Sequence, residues 1–378
     1  MTATKQKKYN NPFTATLTGI RDLFTKQIPA GELKSTDRLD GKTVLVDGSS
    51  SGLGFAIAVD VARRGAKVIM ACRSGIPEKG EKVKKLSGNQ DVHMLQVDFS
   101  DFNSINQLTA NLRSPSLVGE GRGGVDIFIC NAGIVPKQSR KTPQGLEEMF
   151  MVNYFSKFVF VNLLLENHLF SGAGSGMRDP EFVTRHSSFV TPRIIFVASE
   201  SHRNPEKFDW DDFGKYRDYK IGKSIEYYGY YKLLLTTFSV ELSRRLNPKG
   251  EKNFSVFSMC PGPVNSNIAR EAPKLFIPLL KLVFGIFFKS PAKAAIPLVY
   301  LAASADVEGK PFDYLFLMSR KEVDEKASDP GNGNRLWELS EKLWQSLRKN
   351  TEVQFPVSRS FHPEFPGSMA CRRTWDHG

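Results

Sequence analysis

TVLVDGSSSGLGFAIAVDVARRG (43–65) passes from an unbroken apolar run, through a cluster of glycines and serines, into a stretch with helical spacing. TVLVD (43–47) is short and apolar, as a strand buried on both faces requires. LGFAIAVDVARRG (53–65) reads as a helix that stops at Gly65. Between the two, Gly48, Gly52 and Gly54 form G-x-x-x-G-x-G, with Ser50 and Leu53 inside the loop. A glycine-rich turn from strand to helix lets the backbone approach a pyrophosphate, and the helix N-terminus adds free N–H groups and a positive dipole end. Three spaced glycines are a weak signal alone; the flanking strand and helix supply the confirming context. The spacing differs from the G-x-G-x-x-G of other dinucleotide folds, and an ordinary turn is the alternative reading.

The alternation continues down the chain. AKVIMAC (66–72), DVHMLQVD (91–98), VDIFIC (125–130), RIIFVAS (193–199) and NFSVFSMC (253–260) are further short apolar runs with helical stretches between them. Such alternation predicts an α/β protein with a doubly wound parallel sheet. The expected layout is an N-terminal extension (1–40), a catalytic domain (41–310) and a C-terminal strand, helix and tail (311–378). SPSLVGEGRGG (114–124) reads as a surface loop, and 170–192 as an insertion.

The 378 residues are 40% hydrophobic and 24% charged, which excludes a disordered chain, a fibrous repeat and a polytopic membrane protein. Cys72, Cys130, Cys260 and Cys371 show no C-x-x-C and no Cys/His cluster, so they read as reduced thiols rather than a disulfide frame or a zinc site. The net charge of +12 fits an anionic membrane surface, phosphorylated ligands or plain solubility. Its scattered basic residues argue against nucleic acid. No signal peptide is read at the start, so the expected location is the cytoplasmic side, soluble or peripherally on a membrane. Phe13, Leu17, Ile20, Leu23, Phe24 and Ile28 share one helical face, which suits a docked helix or, alternatively, a membrane-surface helix. The apolar stretch 149–165 contains Asn153, Ser156, Lys157 and Asn162 and is short for a bilayer, so a buried central helix is expected. LFIPLLKLVFGIFF (275–288) would cap an apolar pocket or dip into a membrane surface.

The strand ends carry the candidate cofactor contacts. Arg73 follows the second strand where an acidic residue would select NAD; an arginine there suits the 2′-phosphate of NADP, with Ser74 beside it. A surface arginine without a ligand is the alternative. Asp98 and Phe99 close the third strand near the adenine edge. Asn131, Ala132 and Gly133 follow the fourth, where small residues permit close approach. After the sixth strand, Pro261, Gly262, Val264 and Ser266 form a rigid turn whose backbone suits a carboxamide.

Ser199 ends the fifth strand at the carboxyl edge, where a hydroxyl points into the ligand crevice. Three Tyr-x-x-x-Lys pairs follow: Tyr216/Lys220, Tyr219/Lys223 and Tyr228/Lys232. Only the last adjoins a clean helical pattern, YYKLLLTTFSVELSRRL (230–246), and it is expected at that helix's start. A tyrosine needs help to act as an acid/base at neutral pH, and an ammonium one turn away would lower its pKa. Lys232 would also hold the nicotinamide ribose, Ser199 would stabilise charge on the substrate oxygen, and Asn153 would fix a water linking Lys232 to solvent. A local helix-interior hydrogen bond is the alternative for Asn153.

Taken in order across residues 41–305, these motifs resemble the short-chain dehydrogenase/reductase superfamily. ACR (71–73), the long gap from Ser199 to Tyr228 and RLWELSEKLWQ (335–345) are similar to its retinol dehydrogenase-like branch. The resemblance implies a Rossmann fold, NADP(H), a catalytic tetrad of Asn153, Ser199, Tyr228 and Lys232, and a lipophilic small-molecule carbonyl or alcohol such as a retinoid or steroid. It also admits a homo-oligomer. The sequence departs from the family at Asp47 and Ser266, where threonine is usual, and at Tyr231, where the branch has serine. Two alternatives keep the nucleotide: reduction of an activated C=C bond, and a non-catalytic dinucleotide-binding scaffold. The intact tetrad argues against the scaffold. Phe276, Ile277, Leu280 and Phe284 are candidates for an apolar pocket wall or for core.

Overall fold

The computed structural model describes residues 29–114, 117, 124–171, 191–262, 264 and 289–352. The helical face at 13–28, Ser266, the apolar segment 275–288, most of the 170–192 insertion, and Cys371 with the tail lie outside these residues.

In chain order the elements are β1 (Thr43–Asp47), α1 (Gly52–Arg63), β2 (Lys67–Cys72), α2 (Glu78–Ser87), β3 (Val92–Gln96), α3 (Phe102–Leu112) and β4 (Ile127–Cys130). There follow α4 (Glu148–Glu166), β5 (Arg193–Val197), α5 (Ile221–Leu246), β6 (Ser255–Cys260), α6 (Pro291–Ala303), β7 (Phe312–Phe316), β8 (Ser319–Arg320), α7 (Glu325–Ser328) and α8 (Pro330–Glu352). One sheet takes the order β3-β2-β1-β4-β5-β6-β7-β8. Every pair is parallel except β7–β8. The strand order reverses between β1 and β4, and a doubly wound sheet binds its ligand at such a switch point, outside the carboxyl ends. Sheet membership continues past residue 310, because β7 pairs with β6 in register from Val256↔Phe312 to Cys260↔Phe316.

Alternate strand residues feed two cores, as a pleated strand covered on both faces dictates. Val44, Val46, Ile127 and Ile129 pack with Ile57 and Val61 of α1 and Leu298 and Leu301 of α6. Leu45, Phe128, Ile194 and Phe196 pack with α3, α4, α5 and α8 on the opposite face. Helix α4 is long and apolar enough to cross a membrane, yet 89% of that stretch is buried inside the protein, as a central core helix would be. Over Met151–Phe155 it widens into a π-helical turn, a feature often found at functional sites.

Two boundaries differ from the sequence reading. β5 stops at Val197, so Ala198 and Ser199 leave the strand to form the rim of the crevice. Helix α5 begins at Ile221 rather than near 230, which places Tyr228 and Lys232 inside it instead of at its start. Gly229 falls inside this helix. In the fold it is where α5 crosses the Ser201 turn, and a Cβ there would stand 2.9 Å from the Ser201 carbonyl oxygen.

Candidate active site

A cleft of about 400 Å³ opens along the carboxyl edge of the sheet. Its walls include Gly48, Ser50, Gly52, Leu53, Arg73, Ser74, Asp98, Phe99, Asn131, Ala132, Gly133, Ser199, Tyr228, Lys232, Pro261, Gly262 and Val264. Gly54 and Asn153 stand behind this lining, where they shape it.

The glycine loop has the geometry its sequence demands. Gly48 and Gly52 take φ of 59° and 57°, the left-handed region that glycine enters without a Cβ penalty. At Gly54 a Cβ would lie 2.5 Å from both Asn131 Nδ2 and the Gly48 oxygen. The first turn of α1 contains no acidic residue, so its N–H groups and dipole are open to an anion. A tight backbone cradle at a helix N-terminus fits a dinucleotide pyrophosphate. Gly54→Ala is expected to weaken dinucleotide binding by roughly 10- to 100-fold, because overpacking of this kind costs about 1–3 kcal/mol. Calorimetric titration checks it; unchanged affinity would show that the loop yields freely.

Arg73 projects from the end of β2 with its side chain 56% exposed, and its Nη1 lies 3.7 Å from Asp98 Oδ2. Asp98 is itself fixed, since its Oδ1 accepts from Ser100 N at 2.9 Å and Ser100 Oγ at 2.7 Å. The cation therefore sits beside a carboxylate but faces the cleft.

At the end of β4, Asn131 Nδ2 donates to the Asp47 and Gly48 carbonyl oxygens at 3.0 and 3.1 Å. Asn153 grips the next turn with both ends of its carboxamide: Oδ1 accepts from Ile134 N at 2.8 Å, and Nδ2 donates to Ile134 O at 2.9 Å. These bonds run across to the loop after β4 rather than along its own helix, so the local helix-interior bond is not what holds this side chain. It joins the π-helical turn to the loop after β4. Gly133 makes that junction tight, with its missing Cβ 3.3 Å from Asn153 Oδ1 and 3.9 Å from Lys232 Nζ.

Tyr228 and Lys232 lie on one face of α5. The Lys232 ammonium is 5.6 Å from the Tyr228 ring centroid and donates to Val197 O at 2.7 Å. Burial, with the neighbouring Lys157 ammonium adding to it, pulls Lys232 down to about 8. Burial pushes the Tyr228 phenol well above its ordinary value, the Cys260 thiol adds to this, and a hydrogen bond with Ser199 opposes it. The sequence argument expects the lysine to lower the tyrosine. The structure instead shows desolvation dominating, with the ammonium turned to the Val197 carbonyl. The rival tyrosines are engaged elsewhere: Tyr216 donates to Ser139 Oγ at 2.9 Å and Tyr219 to Glu147 Oε1 at 2.8 Å.

Ser199 caps a short turn, accepting from Ser201 Oγ at 2.7 Å. Its loop is braced from the far end of the chain. His202 is buried, and burial pulls its pKa down to about 4, so the ring is neutral near pH 7. Its Nε2 accepts from Asp324 N at 3.2 Å, which leaves Nδ1–H to donate to Ser199 O at 2.7 Å. Glu200 accepts from the Tyr314 hydroxyl at 2.6 Å and pairs with Lys321 and Arg203.

Sequence reasoning passed over several parts of the site. Ile134, Val135, Pro136, Val152 and the Arg140–Glu148 ion pair also line the cleft. Lys157 pairs with Asp47 beneath the glycine loop. The sequence marks it only as a lysine one helical turn after Asn153 in an apolar stretch, with no sign of its partner. Among the described residues no group of three or more His, Cys, Asp or Glu could hold a metal ion.

A family model described as short chain dehydrogenase matches residues 42–177. Retinol dehydrogenase 14 of Homo sapiens is 32% identical over 322 residues, covering 81% of this chain and 87% of that protein. The chain belongs to the short-chain dehydrogenase/reductase family, in its retinol dehydrogenase-like branch. Retinol dehydrogenase 13 of Homo sapiens is 31% identical, covering 89% of this chain and 95% of that protein. A crystal structure of an uncharacterized Mycobacterium Paratuberculosis protein shares the fold with a TM-score of 0.58 and 26% identity, covering 85% of this chain and 98% of that one. Family membership makes this short-chain dehydrogenase/reductase an oxidoreductase acting on alcohol and carbonyl groups.

Proposed function

We propose that this oxidoreductase is NADP(H)-dependent and that its substrate is a lipophilic alcohol or carbonyl of the retinoid or steroid kind. The carrying observation is that one cleft has Arg73 among its walls together with Ser199, Tyr228 and Lys232. The names of the retinol dehydrogenase relatives support the apolar substrate class.

The glycine loop and the α1 N-terminus would hold the pyrophosphate, with Arg73 and Ser74 on the 2′-phosphate. Asp98 and Phe99 would face the adenine end, and Pro261, Gly262 and Val264 the carboxamide. When bound, the cofactor supplies the hydride acceptor or donor. The residues of the chain handle the oxygen. Ser199 Oγ donates to the substrate oxygen and stabilises charge there. Tyr228 gives its phenolic proton in reduction and takes one in oxidation. Lys232, held by Val197 O, keeps a positive charge beside the phenol and would bond the ribose. Asn153 keeps the loop at Ile134 in place behind them.

Arg73→Glu tests the cofactor choice. A charge-assisted bond to phosphate is worth about 1.5–3 kcal/mol, so NADPH affinity should fall by roughly 10- to 100-fold while NADH affinity holds or rises. Nicotinamide fluorescence reads both. Equal affinities for the two nucleotides in the unaltered protein would refute the NADP reading.

A further inference from the structure

Asp47 and Lys157 form a fully buried ion pair, Oδ2 to Nζ 2.8 Å, with side chains 0% and 1% exposed. The chemistry above uses neither. Asp47 is the last residue of β1, one before Gly48. Its Oδ1 accepts from Asn131 N and, at 2.5 Å, from Ala132 N, the first two residues past β4. Lys157 comes from α4, one turn beyond Asn153, and its ammonium also lies 4.2 Å from the centroid of Phe99, just past β3. A single ion pair thus touches the ends of three strands whose loops line the cleft.

We propose that Asp47 and Lys157 are positioning residues: one buried charge pair ties the ends of β1, β3 and β4 into a single cradle and sets the charge felt by Lys232. The inference rests on the reading of Tyr228 and Lys232 as the reactive pair. Removing one partner of a buried pair leaves an uncompensated charge, whereas removing both leaves none. The groups that face Lys232 are Lys157 from α4, Asp47 from β1, Cys130 from β4 and Cys260 from β6, with Tyr228 on its own helix and Val197 O from β5. Burial pushes both thiols up, so they stay neutral near pH 7. Asp47 is the carboxylate among these groups, and it serves two ammonium ions. Lys157 lowers Lys232 and Asp47 raises it.

The test compares Asp47→Asn, which keeps an oxygen acceptor for the two N–H groups, with Lys157→Met and the double variant. The readouts are NADPH affinity by fluorescence and the pH dependence of carbonyl reduction at saturating NADPH. In the unaltered protein, reduction should fall as pH rises through about 8, where Lys232 loses its proton. Asp47→Asn should move that fall lower and Lys157→Met should move it higher, each by up to about one pH unit, since the carboxylate raises Lys232 and the ammonium lowers it. The double variant should return it. NADPH affinity should weaken about tenfold in each single variant, roughly 1.4 kcal/mol, and recover in the double. Lys157→Arg keeps the charge and must keep the limb, which decides the matter if a single variant does not fold. Single variants that move the limb in one common direction or not at all, or a moved limb in Lys157→Arg, overturn the inference. A protein that binds NADPH but reduces no carbonyl refutes the proposed function instead, and recovery of binding in the double variant still decides the cradle.

Discussion

Tyr228→Phe is expected to bind NADPH as tightly as the parent protein and to reduce carbonyl substrate about 10²- to 10⁴-fold more slowly, the range a positioned general acid contributes. The substitution removes one oxygen. The ring keeps its place against Lys232, and the Val197 carbonyl keeps its ammonium donor. What disappears is the proton that meets the substrate oxygen, together with the hydrogen bond to Ser199. Burial holds the phenol protonated at neutral pH, which suits it to donate in reduction. Alcohol oxidation needs the phenolate, so in the parent protein that direction should quicken as pH rises. Single-turnover kinetics with preformed NADPH complex separates chemistry from binding. Full turnover in the phenylalanine variant would remove Tyr228 from the acid/base role.

Trp344→Ala should destabilise the fold by roughly 3–5 kcal/mol, the usual cost of emptying a buried aromatic site, and lower the melting temperature by roughly 5 °C. Helix α8 lies across α4 and α5, and Trp344 is one of its anchors. Its ring meets Phe158 of α4 edge-on at 6.1 Å, and Arg348 stacks on it at 3.8 Å. Trp337 adds an edge contact to Phe158 at 5.1 Å, and Ser340 bonds the Tyr154 hydroxyl. Trp344→Phe is the informative companion. The indole Nε1 is buried without an acceptor among the described residues, so phenylalanine loses some contact area but also a costly unpaired donor. Calorimetry should place it much nearer the parent than the alanine variant. An alanine variant that melts with the parent would show that α8 adds nothing to the core.

The parts of this protein legible in its sequence are those fixed by local pattern. Strand runs such as TVLVD and RIIFV announce themselves because both faces are buried and no polar residue interrupts them. The glycine loop, Arg73 and the Tyr228/Lys232 pair are local spacings, and the fold brings them to one edge. The start of α5 was hidden because Gly222 looks like a breaker, while Gly229 is needed for a close crossing that only the tertiary structure reveals. The Asp47–Lys157 pair was hidden because its members stand far apart in the chain, and nothing local says that a lysine in an apolar helix will find a carboxylate at a strand end. The direction of the Tyr228 shift was misjudged for a related reason. Spacing gives proximity to an ammonium, but not how dry the site is.

The bracing of the Ser199 loop carries a consequence for how the molecule comes into being. The glycine loop, Arg73, Asp98 and the Lys157 that ties their strand ends together have all been made once residues 43–166 have left the ribosome, and their strands β1 to β4 adjoin one another in the sheet. The loop bearing Ser199 is different. The hydrogen bond that orients His202 comes from Asp324, and the groups that hold Glu200 include Tyr314 and Lys321. At the usual pace of synthesis, on the order of ten residues per second, a nascent chain spends many seconds with the phosphate end of its nucleotide cleft made and the Ser199 loop unbraced. The order in which the chain emerges thus separates the making of that phosphate end from the full support of the serine that meets the substrate.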